Sequence, residues 1–228
     1  MTAVPSSNVT TVILANYLTN NDPNKWLDMM NEKSKELGMT NTKWFNDSGA
    51  AAVAFKGYFS PQRYDNNQSN QTTARDFVIM TYNFIKKYPD ILKYTSKPVV
   101  AVKEGTPYEE TFETYNYSIP GADYGLKGVD DSKTGSSPEG AFNYIDTIKH
   151  SNQRMIALIM GSGDWSDQTG EEIRHAIPLV MLWLRKCIKI SLTRKSLAKV
   201  NKRSLVKNIM SKMMSTSQSK KAKNQKSL

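Results

Sequence analysis

The sequence predicts an α+β fold, with helices packed on an antiparallel sheet. Three observations carry this. Apolar stretches with helix start and stop signals fill the first 90 residues or so. Short runs rich in Val, Ile, Thr and aromatic residues follow from Val99 onward. A polar segment, His150 to Gln153, separates two of these runs and reads as a hairpin.

In chain order, residues 7–18 are mostly apolar, with Val12, Ile13, Leu14 and Ala15 in one run, which predicts a buried helix. A second helix starts with Asp22 as N-cap and Pro23 at the first helical position, and Gly38 ends it. Trp26, Met30 and Leu37 share one face of it. Residues 55–70 are polar and turn-rich, a surface excursion. Thr73 to Asp76 is a capping-box variant before Phe77, Met80, Phe84 and Tyr88, spaced as a core-facing stripe, and Pro89 stops that helix. Strands are expected over residues 99–102, 111–117, 141–149 and 154–160. Thr169 to Glu172 is a further capping box opening a last helix. No internal repeat is present.

At 228 residues the chain suits one domain, or one domain with an appendage. The net charge of +10 is unevenly spread. Residues 1–172 hold 16 Lys/Arg and all 21 Asp/Glu, a net of −5, whereas residues 173–228 hold 15 Lys/Arg and no acid. A mildly acidic body therefore carries a strongly basic tail. One cysteine, Cys187, excludes an intrachain disulfide, and two histidines make a zinc cluster implausible; no cofactor is expected. The N-terminus lacks the basic and apolar regions of a signal peptide. The longest apolar run, residues 176–184, is nine residues, too short to span a bilayer. The chain expressed alone is thus expected in the cytoplasm.

Two motifs carry chemistry. Ser6-Ser7-Asn8 presents a hydroxyl and an amide just before a helix, suited to relaying a proton and holding a carbonyl. Lys133-Thr134-Gly135, followed by Ser136, puts a cation, a hydroxyl and an open strand edge together. The next backbone N–H could then serve an oxyanion. Alone, Ser-x-Asn is more often an N-cap and Lys-Thr-Gly a turn beside a strand. Their order and flanks change the balance.

The text around Ser6 to Asn8, residues 30–42, Asn46 to Gly49, Thr72 to Asp76, residues 133–140 and residues 152–165 resembles the low-molecular-mass penicillin-binding proteins. These are serine-type D-alanyl-D-alanine carboxypeptidases. The likeness runs from about residue 4 to His175. It implies an incomplete penicillin-binding/β-lactamase-like transpeptidase fold, peptidoglycan stem peptides as substrate and β-lactams as acylating agents. It also implies action at the outer face of the cell membrane. By the same resemblance, Ser6 is the proton-relay hydroxyl and Asn8 the carbonyl-binding amide. Lys133 is the electrostatic partner and Thr134 the carboxylate contact. Gly135 leaves room for substrate, and Ser136 supplies the oxyanion N–H.

Three departures stand out. The family's nucleophilic Ser-x-x-Lys lies upstream of Ser-x-Asn, and only five residues precede Ser6. The copies at Ser196, Ser204 and Ser217 fall in the Ser- and Lys-rich tail, where chance matches are expected. This chain is therefore expected to be inactive alone, with a separately encoded N-terminal fragment as a potential partner. Apolar faces that pack on the missing part would be exposed. Second, the family's Asp-Gly-Leu before Lys-Thr-Gly is Asp130-Asp131-Ser132 here, which puts the strand geometry in doubt. Third, residues 179–189 and 207–216 match family-like helix codons read one nucleotide late, which would explain the loss of acids and Pro178 within a helix. The expected division is residues 1–175, a partial catalytic domain, and 176–228, an out-of-frame, disordered basic tail. The alternative is a non-catalytic fragment whose tail binds anionic lipid or nucleic acid; no nucleic acid is expected under the leading reading.

Overall fold

The computed structural model describes residues 2–56, 61, 63–150, 153–166, 177–178 and 180–186, excepting the side chains of Asp131 and Ser132. Helix α1, Asn8–Thr19, is capped by Ser7, whose hydroxyl accepts from the Thr10 N–H at 3.3 Å. None of its twelve residues is charged. The expectation of a buried helix holds on one side only. Val12, Ala15 and Thr19 are buried, while Val9, Ile13, Leu14, Tyr17 and Leu18 are exposed. Among the described residues, the side of α1 that is covered meets chiefly α2.

Helix α2, Pro23–Glu36, starts as read, with the Asp22 carboxylate accepting from the Lys25 N–H at 3.0 Å. Gly38, at φ +75°, reverses the chain so that the Met39 N–H returns to the Ser34 carbonyl at 2.9 Å. Its buried residues are Leu27 and Ser34, and Trp26, Met30 and Leu37 are only half-buried. The returning chain sets that face. Asn31 brackets the Trp44 backbone, and the Trp44 indole N–H donates to Ser34 Oγ at 2.7 Å.

Helix α3, Ala74–Lys87, is capped by Thr73, which accepts from the Asp76 N–H at 3.3 Å. The Asp76 carboxylate does not close the box. Fully buried, it accepts from the Asn41 N–H at 2.7 Å, Thr42 Oγ1 at 3.0 Å and Arg75 at 3.1 Å. Burial pushes this carboxyl up, but the three donors and the Arg75 charge hold it below the ordinary carboxylate value. Thr81 and Ile85 form the buried apolar-side pair, about 100° around the helix from Met80 and Phe84 of the predicted stripe, while Asp76 is buried on another side, toward Asn41 and Thr42. Phe84 and Tyr88 instead lie exposed against each other, ring centroids 5.8 Å apart. Helix α4, Leu92–Thr95, follows and packs against β3.

Strands β1, Val99–Val102, and β2, Glu110–Glu113, form an antiparallel ribbon. β2 ends earlier than predicted because the Thr114 hydroxyl accepts from the Asn116 N–H at 3.1 Å, turning the chain away. Strands β3, Val129–Ser137, β4, Ala141–His150, and β5, Gln153–Ser162, form a second antiparallel sheet in that order, with His150 opposite Gln153 at the predicted hairpin. α3 packs on β5. β4, in the middle, is buried on both faces from Tyr144 to Ile148.

The polar pair before Lys133 does not break β3. A bulge falls between Val129 and Asp131, and Ser132 to Ser137 then pair residue for residue with Asp146 to Ala141. Asp130 pins the bulge: its carboxylate accepts two Arg154 bonds, at 2.6 and 2.7 Å, and one from Thr147 at 2.9 Å. Beneath the sheet, Ser118, Tyr144 and Asp146 share a buried network. Ser118 Oγ donates to Asp146 Oδ1 at 2.8 Å and Tyr144 OH donates to Oδ2.

The chain divides into two units, residues 1–182 and 183–228. Residues 177–178 and 180–186 are helical, with Ile177, Met181 and Leu184 buried. The Thr169–Glu172 capping box, the boundary near His175 and the three tail Ser-x-x-Lys copies lie outside the described residues. Among the described residues no helix is long and apolar enough to cross a membrane.

Candidate active site

Two elements 127 residues apart in sequence meet at one point. Ser6 sits between buried Val4 and the cap Ser7 in the left-handed region, φ +55°, which serine rarely adopts. The turn is held by the Thr10 and Thr11 hydroxyls, which donate to the Ser7 carbonyl at 3.0 and 3.2 Å. Asn8, the first residue of α1, is exposed. From the middle of β3, Lys133 donates to Ser6 Oγ at 2.6 Å and to the Thr134 carbonyl. Burial lowers the Lys133 amine below the ordinary lysine value, so its proton is more readily given up than that of a surface lysine.

A cavity of about 540 Å³ opens at this contact and is lined by Ser6, Asn8, Lys133, Thr134, Gly135 and Ser136, all six residues singled out in the sequence. A Cβ at Gly135 would meet no atom within 4 Å, so the fold itself leaves that strand edge clear. Lys133 is the one charged side chain among the described lining residues. The cavity thus offers one cation in a ring of hydroxyls and amides, a setting that favours a ligand with a single carboxylate.

Other lining residues were not singled out. Ser48, Gly49 and Ala50 form one wall, Tyr115 and Tyr117 another, and Phe142 a third, backed by the Trp165 ring at 6.0 Å. The Ser48 wall depends on Asn70. Its Oδ1 accepts from the Phe45 and Asn46 N–H groups at 2.7 and 3.0 Å, and its Nδ2 donates to the Asn46 carbonyl and Oδ1. Asn46 Oδ1 in turn accepts from the Gly49 N–H at 2.8 Å. Asn46 and Gly49 were visible as flanking text, whereas Asn70 gave no signal because its partners lie 24 and 25 residues away. Asn70→Ala strands these backbone donors and is expected to cost about 1–3 kcal/mol, read by urea unfolding. Loss under a few tenths would show that the wall stands without it.

The sequence model of the family described as D-alanyl-D-alanine carboxypeptidase matches residues 1–164. The chain belongs to that family. The D-alanyl-D-alanine carboxypeptidase DacF of Bacillus subtilis is 28% identical over 160 residues, covering 70% of this chain and 36% of DacF. Among solved structures, PBP3 of Streptococcus pneumoniae, described as a peptidoglycan synthesis regulatory factor, superposes with a TM-score of 0.70 at 25% identity. That match covers 81% of this chain and 49% of PBP3. Penicillin-binding protein D2 of Listeria monocytogenes, solved with ampicillin bound, gives 0.59 at 22% identity over 79% of this chain and 63% of its own, a likeness of fold. The mixed helix and antiparallel-sheet architecture is thus that of the carboxypeptidase family. The chain spans about a third of DacF and half of PBP3.

Proposed function

We propose that this chain forms one side of a serine acyl-transfer site for peptidoglycan stem peptides ending in D-Ala-D-Ala. The observation that carries the reading is the 2.6 Å Lys133–Ser6 contact at the mouth of a cavity lined by the Lys-Thr-Gly strand edge. In this reading the acyl-accepting serine belongs to a Ser-x-x-Lys segment of the family, separately encoded or joined to this chain. Its oxygen attacks the carbonyl of the penultimate D-Ala, and the C–N bond to the terminal D-Ala breaks. Ser6 passes the proton to the departing amine, with Lys133 holding the relay hydroxyl by charge. Asn8 holds the substrate amide, Thr134 takes the terminal carboxylate, and the Ser136 N–H faces the developing oxyanion. Water then releases the acyl group. β-Lactams would acylate the same serine, and the site of action would be the outer face of the cell membrane, where stem peptides are exposed. The alternative of a lipid- or nucleic-acid-binding tail rests on residues 182–226, most of which lie outside the described ones, and the comparisons do not favour it.

The test is intact-mass spectrometry with benzylpenicillin on this chain fused behind a family Ser-x-x-Lys segment. One penicilloyl group on that serine is expected. A fusion that is folded by circular dichroism yet takes no adduct would remove the reading.

A further inference from the structure

Asn143 is not a lining residue of the cavity, yet its side chain reaches the strand that forms the cavity edge. It stands near the start of β4, half-buried, opposite Gly135 of β3. Its Nδ2 donates to the Gly140 carbonyl at 3.0 Å, the Ala141 carbonyl at 3.3 Å and the Gly135 carbonyl at 3.4 Å, so its N–H groups are shared among three acceptors. Its Oδ1 accepts from the Gly161 N–H of β5 at 3.1 Å. One amide thus ties together β3, the β3–β4 turn and β5.

The backbone around it is irregular. Ala141 sits at φ +47°, in the left-handed region that an L-residue avoids. The β4–β5 register shifts between Phe142 and Tyr144, on either side of Asn143. Gly140 leaves the amide its room, since a Cβ there would stand 3.4 Å from Asn143 Nδ2 and 3.0 Å from Ser137 Oγ.

The peptide between Gly135 and Ser136 links this staple to the chemistry. A trans peptide points its C=O and its N–H to opposite sides. Asn143 meets the carbonyl from the β4 side, which directs the Ser136 N–H toward the other edge of β3, where the cavity opens. A donor to that carbonyl also polarises the peptide and strengthens its N–H as a donor in turn.

We infer that Asn143 is a positioning residue for acyl transfer: its amide fixes the Gly135–Ser136 peptide and so aims the Ser136 N–H at the acyl carbonyl. The inference rests on the acyl-transfer reading for what that N–H meets, but not for the hold on the peptide.

The test uses Asn143→Ala and Asn143→Asp. The aspartate has the same shape and still accepts from Gly161, but has no N–H to give. In the fusion with a Ser-x-x-Lys segment, both variants should slow penicillin acylation at saturation by about tenfold, less than the outright loss of an oxyanion donor. The noncovalent affinity that precedes acylation should stay within about twofold. In difference infrared spectra, the ester carbonyl of the penicilloyl adduct should move to higher wavenumber, because a misaimed donor polarises it less. A general loosening of the fold would not move that band selectively. An unmoved band, or unchanged acylation in Asn143→Asp, overturns the inference.

A second arm needs no acylation. In the isotope-labelled 228-residue chain, the nuclear magnetic resonance signal of the Ser136 amide should shift in both variants. If it stays in place in both, the inference is overturned. A fusion that takes no penicillin, alongside a Ser136 signal that shifts, leaves the hold on the peptide standing and removes acyl transfer.

Discussion

Lys133→Ala in the site completed with a Ser-x-x-Lys segment is expected to slow penicillin acylation by roughly 100-fold or more, the usual scale for losing one charge-stabilising group from such a site. The change removes the hydrogen bond to Ser6 Oγ and the only charge among the described lining residues. Time courses with fluorescent penicillin measure it, and an unchanged rate would break the assignment. The pH dependence gives a second check. Burial lowers the Lys133 pKa, so the cationic form, and the rate that needs it, should disappear below the ordinary lysine value of 10.5 as pH rises. The alanine variant should lack that basic limb. Stability runs the other way. Between the lowered folded value and 10.5 the unfolded chain holds the proton that the folded chain has released, so stability rises with pH across that window.

Asp146→Ala is expected to produce the largest loss of stability, about 3 kcal/mol or more, because two buried hydroxyls lose the carboxylate they share and are left bonded to each other. Ser118, Tyr144 and Asp146 are each at most 1% exposed, so water cannot replace the carboxylate without opening the sheet. At roughly 2–4 °C per kcal/mol for a chain of this size, the midpoint should fall by about 6–12 °C. Calorimetry measures it. A fall of less than 2 °C or so would mean that the network relaxes around the gap.

Much of this was legible because it is local. Asp22, Pro23 and Gly38 mark α2 through backbone geometry that needs no distant partner, as Thr73 does for α3 and the β-branched run does for β1. The six cavity residues were legible as two short motifs, although neither motif says that they meet. What failed were statements about faces. The stripe Phe77, Met80, Phe84 and Tyr88 has core spacing, yet the sheet takes Thr81 and Ile85, and the outward rings satisfy one another. Trp26 and Met30 lost the core of α2 to Leu27 and Ser34 because Trp44 returns from outside the helix. α1 was read as buried because its composition demands it. The demand is sound, and one side is uncovered here. Asn70 and the Tyr115–Tyr117 wall left no local trace, since each acts through residues that only the folded chain brings near. Asp131 and Ser132, in place of glycine and leucine, were read as disturbing β3, but the strand stays paired, with Asp130 just before them anchored by Arg154, 24 residues on.

Ser6 lies where the backbone would rather have glycine. Its φ of +55° costs an ordinary L-residue about 1–2 kcal/mol, and the chain meets that cost at the residue whose hydroxyl holds Lys133. Glycine would relax the turn but silence the contact, and asparagine would tolerate the turn but offer an amide in place of a hydroxyl. The residue that suits the fold and the residue that suits the chemistry therefore differ at this position. Selection for thermal robustness alone would tend to erase Ser6, and a thermostable descendant of this chain should be checked for activity there first.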